Sequence, residues 1–205
     1  MCAVETLKEG RPRMKRMLLF ALFGLITIPG VGVAYGKECA GVKAPDQVQV
    51  EGSPLVLNGL GLRQATVFKV NVYVGALYTA KATSDPSAIL GSKTPNQLVL
   101  HFVRNVGAAD LKKAWEEGFE ANAKPQLPAL QKRIDTLKSW MADMKTGERL
   151  TLTQKPGRGI QVDVGEAAKG TIEGDDFSRA FLSIWLGAHP PNADLKAGLL
   201  VGACS

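Results

Sequence analysis

Between Val67 and Tyr78 the side chains change character at every second position. Phe68, Val70, Val72, Val74, Ala76 and Tyr78 fall on one side, and Lys69, Asn71, Tyr73 and Gly75 on the other. A helix has no use for that spacing, because its faces recur every 3.6 residues. A strand with one apolar and one mixed face does. The preceding segment, Leu55–Arg63, reads as a partner strand, so the two form a hairpin-like pair with Arg63 at the crossing. A sheet built on this pair is the first requirement on the fold.

The rest of the chain supplies more strands and a set of amphipathic helices. Gln47 to Glu51 is a short strand, and Gln97 to Val103 is another, with Leu98, Leu100 and Phe102 on one side. Asp85-Pro86 opens a short helix that Gly91 closes, an acid cap followed by proline at the first helical position. Ala108 to Asn122 carries Leu111, Ala114, Trp115, Gly118 and Phe119 as one stripe. Leu127 to Met144 repeats the pattern with Leu130, Ile134, Leu137 and Met141. Three short strands follow, around Arg149–Gln154, Gly159–Val164 and Gly170–Ile172. Asp175 then caps a helix to Leu186, and a last helix runs from Asn192 to about Val201. Strands, helices, strands, helices: this order predicts an α+β fold, a mainly antiparallel sheet with helices gathered on one face. Such a two-layer body leaves a cleft between sheet and helices.

The beginning of the chain has the layout of a secretory signal. Lys15 and Arg16 precede an apolar stretch from Leu18 to Ile28, and Ala34-Tyr35-Gly36 ends it with small outer residues. Cleavage after Gly36 leaves one domain over residues 37–205 with a polar, extended lead-in at Lys37 to Asp46. The alternative, a retained anchor, has to be built from a run of roughly 17 residues against the ~20 a span needs. Residues 1–13 fit neither role, and Met14 directly before Lys-Arg reads as the true start. Export implies a periplasmic or secreted protein with no stable membrane span after cleavage. It also places Cys39 and Cys204, near the two ends of the mature chain, in an oxidising compartment. There they either bridge the termini or remain free thiols, and the bridge is the expectation adopted.

Composition narrows the chemistry. Removing residues 1–36 takes away five basic residues and two acidic ones, so the formal charge falls from +6 to +3. A modest excess spread along the chain is no nucleic-acid footprint. With two histidines, His101 and His189, the sequence offers no metal site and no cofactor motif. Gly157-Arg158-Gly159 joins two strands and opens no helix, so it is not a phosphate loop. Ser178 and Ser183 lack a nucleophile-elbow context. His101 alternates away from Leu100 and Phe102 and reads as a sheet histidine.

What remains is Arg63 and Tyr73. Arg63 is either a surface arginine beside a turn or a guanidinium aimed into the cleft, where its fork grips a carboxylate through two parallel hydrogen bonds. Tyr73, on the opposed strand and the mixed face, either covers the sheet or adds a third hydrogen bond. Gly59 and Gly61 lie just before Arg63, and bare backbone there is expected to let a ligand approach closely. The pair points to a small ligand with a carboxylate or phenolate head.

Several segments together carry a resemblance. They are Leu57-Asn58-Gly59-Leu60-Gly61-Leu62-Arg63, Tyr73-Val74-Gly75-Ala76-Leu77-Tyr78, Leu98-Val99-Leu100-His101-Phe102, Trp115-Glu116-Glu117-Gly118-Phe119, and Gly170-Thr171-Ile172-Glu173-Gly174 into Phe181-Leu182-Ser183-Ile184-Trp185-Leu186-Gly187. From about Val50 to Leu200 the chain resembles the bacterial branch of the chalcone isomerase-like family. That resemblance implies an open-faced β-sandwich, a large antiparallel sheet backed by helices. It implies either of two activities. In plastid fatty-acid-binding relatives, an arginine matching Arg63 and a tyrosine matching Tyr73 hold a fatty-acid carboxylate. In the plant isomerases, which are intramolecular lyases, the arginine polarises a chalcone during ring closure, and Tyr73 would fall at the catalytic threonine. The other enzyme positions do not match: the catalytic tyrosine and asparagine fall near Gly107 and Ala114, and a late threonine near Ile184. Losing those orienting groups removes several kcal/mol of positioning, so binding is the expected activity and isomerisation the alternative.

Overall fold

The computed structural model describes residues 35–200 together with Gly202 and Cys204. The signal-like segment and the proposed start at Met14 lie outside the described residues. A seven-stranded sheet dominates, with every neighbour antiparallel and in chain order: β3 (Gln47–Val50), β4 (Ser53–Ala65), β5 (Val70–Thr79), β6 (Asn96–Phe102), β7 (Arg149–Lys155), β8 (Gly159–Val164) and β9 (Ala167–Ile172). Five helices join them: α1 (Pro86–Leu90), α2 (Ala108–Ala123), α3 (Leu127–Trp140), α4 (Asp175–Leu186) and α5 (Ala193–Leu199). The α+β reading and the antiparallel sheet are what the molecule has. Among the described residues no helix is long and apolar enough to cross a membrane.

The two sheet faces are buried in different ways. On one face, Tyr73, Leu77, Leu98, Leu100, Phe102, Leu150, Leu152, Ile160 and Val162 pack with Trp115, Phe119, Phe177, Phe181 and Trp185 of α2 and α4. The aromatic side chains of that layer meet edge-on or tilted, apart from the stacked pair Phe119–Phe181, with centroids 5.4–6.0 Å apart. On the other face Leu60, Val74, Ala76, Tyr78 and Val99 form a second cluster with Cys39 and Ala44. Residues 37–46, read from sequence as a polar lead-in, are a small hairpin: β1 (Tyr35–Cys39) pairs with β2 (Val42–Pro45). Its few apolar side chains are too sparse to register as a pattern, yet Cys39 and Ala44 are 3% and 0% exposed. The Cys39 and Cys204 sulfurs are bonded, with their Cα atoms 5.4 Å apart.

Three local readings change. The strand expected from Val67 begins at Val70, because Thr66–Lys69 is the β4–β5 turn and leaves Val67 and Phe68 exposed. Asp175 does not cap α4. Gly174 holds that position, and the Asp175 carboxylate accepts a hydrogen bond from the Gly157 N–H at 2.8 Å. α3 ends at Trp140 rather than Met144, whose backbone instead bridges to Val106.

Candidate functional site

Arg63 and Tyr73 are direct cross-strand partners in the β4–β5 ladder. Opposed residues on one face lie with Cβ atoms about 4.5–5.5 Å apart, so the guanidinium and the phenol rise together from the sheet. The register slips immediately beyond them, since Gln64 pairs with Asn71 and leaves Val72 as the extra residue. In a regular strand Val72 and Tyr73 would point to opposite faces. The bulge turns both toward the helices, the re-aiming that bulges perform next to binding sites.

Both face a cavity of about 370 Å³ between the ends of β4, β5 and β6, the middle of α2, the end of α4 and the 188–191 loop. That volume lies within the roughly 300–1,000 Å³ range of small-molecule pockets. Its inner wall is apolar: Val72, Phe102, Val106, Leu111, Trp115 and Ile184. Exposed Asp110, Ala114, Glu117 and Ala121, spaced three or four residues apart on α2, form the outer rim, with His189 and Pro191 opposite. The two alanines are the small residues that leave the mouth open. Gly118, between them, lets α2 approach α4 closely, since a Cβ there would come within 2.7 Å of the Ile184 side chain. The rim loop is anchored by Asn122, whose Oδ1 accepts the His189 N–H and whose Nδ2 donates to the His189 carbonyl, each at 3.0 Å.

The two polar groups on the sheet side of this cavity, away from the Asp110 and Glu117 rim, are donors. Arg63 is half-buried, and its guanidinium hydrogen-bonds the neighbouring Gln64 carbonyl. Among the described residues no carboxylate comes within ion-pairing distance of it. Tyr73 is 6% exposed, and its hydroxyl oxygen accepts the Trp185 Nε1–H at 2.9 Å. That leaves the phenolic proton available to a ligand. Burial pushes the hydroxyl up to about 12, against smaller opposing effects of the Trp185 hydrogen bond and the Arg63 charge. Near neutral pH the group is therefore a hydrogen-bond donor, not a base. A fixed cation beside a protonated phenol, at the end of an apolar chamber, is arranged to receive an anion with a greasy body.

The other residues singled out from sequence divide between this cavity and other parts of the fold. His101 is on the opposite sheet face beside Arg149, and burial, with help from that cation, lowers it to about 4. Ala114 and Ile184 both line the cavity, and Gly107 sits at the cap of α2. Gly59 and Gly61 do not face a ligand. A Cβ on Gly59 would collide with the Gly198 carbonyl, and one on Gly61 with the Leu195 carbonyl, so α5 occupies the space they leave. Asn58 went unnoticed because it is the extra residue of a second bulge, between Leu57 and Gly59. It is 1% exposed, donates to the Leu199 carbonyl at 2.7 Å, and accepts the Thr83 N–H at 2.7 Å. It stitches the end of α5 to the sheet.

A fatty-acid binding protein of Arabidopsis thaliana has the same fold. It superposes with a TM-score of 0.61 at 15% identity, over 82% of this chain and 96% of the plant protein. No curated protein matches the sequence. The model of the chalcone isomerase-like family matches residues 36–201, nearly all of the described chain, and to that family the chain belongs.

Proposed function

We propose that this is an exported binding protein that holds a fatty acid, or a similar carboxylate-headed molecule, in the cavity beneath α2. The observation that carries the reading is the Arg63 guanidinium, half-buried beside the Tyr73 hydroxyl in an apolar chamber, with no carboxylate partner of its own among the described residues. A cation so placed is under-compensated, and a ligand carboxylate supplies what is missing. The solved fold-mate that binds fatty acid supports the same direction. Export to the periplasm or the medium rests on the Lys15-Arg16 and apolar layout of the leader. N-terminal sequencing of the protein recovered from a fractionated cell tests it, with a start at Lys37 expected.

Titration of dodecanoate by calorimetry, on the wild type and on Arg63→Ala, tests the ligand. Loss of the charged hydrogen bonds is expected to weaken binding by about 1.5–3 kcal/mol. Equal affinities would remove the proposal. An isomerase reading has to rely on Arg63 with Ala114 and Ile184 where the plant enzymes carry polar groups. Flavanone formation from chalcone, abolished by Arg63→Ala, would favour it instead.

A further inference from the structure

The β4–β5 turn breaks a local rule without any gain to the fold. Turns favour Gly, Asn, Asp and Pro, yet this one reads Thr66-Val67-Phe68-Lys69. Thr66 and Lys69 adopt φ of 62° and 52°, a region that non-glycine residues visit rarely and β-branched ones hardly at all. Val67 and Phe68 are 90% and 85% exposed, the large apolar side chains left in solvent among the described residues. The turn is nonetheless built. Thr66 Oγ1 accepts the Phe68 N–H at 3.3 Å, and Gln64 Nε2 donates to Asn71 Oδ1 at 2.9 Å and to the Lys69 carbonyl at 3.3 Å. Two apolar side chains held out at a fixed tip, at the cost of turn propensity, mark a contact surface.

Its position and charge identify the partner. The tip is the direct continuation of the cavity wall, because Ala65 and Val72, on either side of the turn, both line the chamber. From Arg63 to Tyr73 the chain carries two cations and no acid. The Val103 N–H, bonded to the Val72 carbonyl at 3.0 Å, holds exposed Arg104 at the same end of the sheet. On the opposite rim, Asp110 and Glu117 of α2 oppose an anionic surface, so contact falls on the β4–β5 edge. We infer that Val67 and Phe68 insert into the interface of an anionic phospholipid bilayer, with Lys69 and Arg104 at headgroup level, and that an amphipathic ligand passes between bilayer and cavity along this edge. The passage rests on the proposed function; the membrane contact does not.

The test places an indole at the tip of the full-length chain, Phe68→Trp, and adds phosphatidylcholine–phosphatidylglycerol vesicles carrying brominated acyl chains. Bromine quenches only at contact, so the readout is local to the turn. A blue shift and quenching beyond the wild-type change are expected, and adding Lys69→Gln should raise the lipid concentration required roughly fivefold. Val67→Ser with Phe68→Ser should slow transfer of dodecanoate from vesicles to protein about tenfold or more, the order expected from two lost apolar anchors. Its dodecanoate affinity in free solution and its urea midpoint should stay at wild-type values. Emission of the introduced indole unchanged by vesicles overturns the inference. So does a change that follows protein concentration without lipid, which would make a second copy the partner. Quenching in a protein that binds no dodecanoate would leave the membrane contact standing and remove the ligand reading alone.

Discussion

The helix-facing side of β4 and β5 has two halves on consecutive rungs of one ladder, and they end in opposite states. Where Gly59, Gly61 and Gly75 present bare backbone, α5 lies against the strands, with Gly198 touching Leu60 and Gly61 backbone. At the next rung, Arg63 opposite Tyr73, a cation and a phenol stand off the sheet and the 370 Å³ chamber opens beneath α2. Strand pair, face and register are shared, so position in the fold does not decide which half is filled. Side chains do. Glycine lets a helix close the groove, and a guanidinium that cannot be buried unpaired holds the adjacent part open.

The most damaging way to break this contrast is to give the closed half a side chain. Gly61→Val drives a branched group into the Leu195 carbonyl, which is backbone and cannot swing aside. A loss of about 3–5 kcal/mol in urea unfolding is expected, at the upper end for overpacking. Gly75→Ala is the control. Its Cβ would lie 3.2 Å from Leu199 Cδ2, the far end of a flexible side chain, and should cost under about 1 kcal/mol. Equal losses at the two positions would mean that α5 is not seated on the glycines.

A somewhat smaller effect is expected from cutting the bridge beyond α5. Cys39→Ser with Cys204→Ser opens a link across 165 residues; chain entropy alone puts the upper bound at about 5 kcal/mol, and about 2–4 kcal/mol is typical of measured cases. Because Cys204 follows α5, the closed half should loosen first. Amide exchange at Leu195–Leu199 should accelerate before that of Leu98–Phe102 on β6. Simultaneous acceleration would show that the bridge acts on the whole domain and not on the helix it follows.

Legibility in the sequence followed the same division. Alternation located β5 and β6 and put Tyr73 on the mixed face of its strand, because a period of two survives wherever pairing is regular. It failed where pairing is irregular. Val72 was assigned beside Val74 and faces the cavity instead, since a bulge shifts the count by one and no residue type announces it. Asn58 was hidden for the same reason. Phe68 fitted the alternation by parity alone, though it sits in a turn whose residues are poor turn formers. The glycines were recognised as a place of close approach, but sequence does not say what approaches, and α5 proved to be the occupant. The fold was therefore readable from spacing, and residue type singled out two polar groups that the fold brings to one candidate cavity. The shape of the chamber was not, because it depends on bulges and on which helix lands where.

The finest probe of the open half is the phenol itself. Tyr73→Phe keeps the ring and its 5.7 Å edge contact with Phe102 but removes the oxygen that accepts the Trp185 N–H. The orphaned donor should cost about 1–2 kcal/mol of stability, and dodecanoate should bind only a few-fold more weakly, because a neutral donor contributes less than Arg63. An unfolded tyrosine ionises near 10, whereas burial holds Tyr73 up to about 12 in the fold. Above pH 10 the unfolded chain gives up its proton first, so the contribution to stability is intact below 10 and is lost as pH climbs toward 12. Tyr78, also pushed up to about 12, first by burial and then by Asp46, follows the same course. The variant should therefore keep only part of the alkaline loss seen in urea midpoints between about pH 10 and 12. Parallel curves for wild type and variant would mean that the Tyr73 phenol titrates as if in water. The open half would then be a solvated groove with no fixed donor beside Arg63.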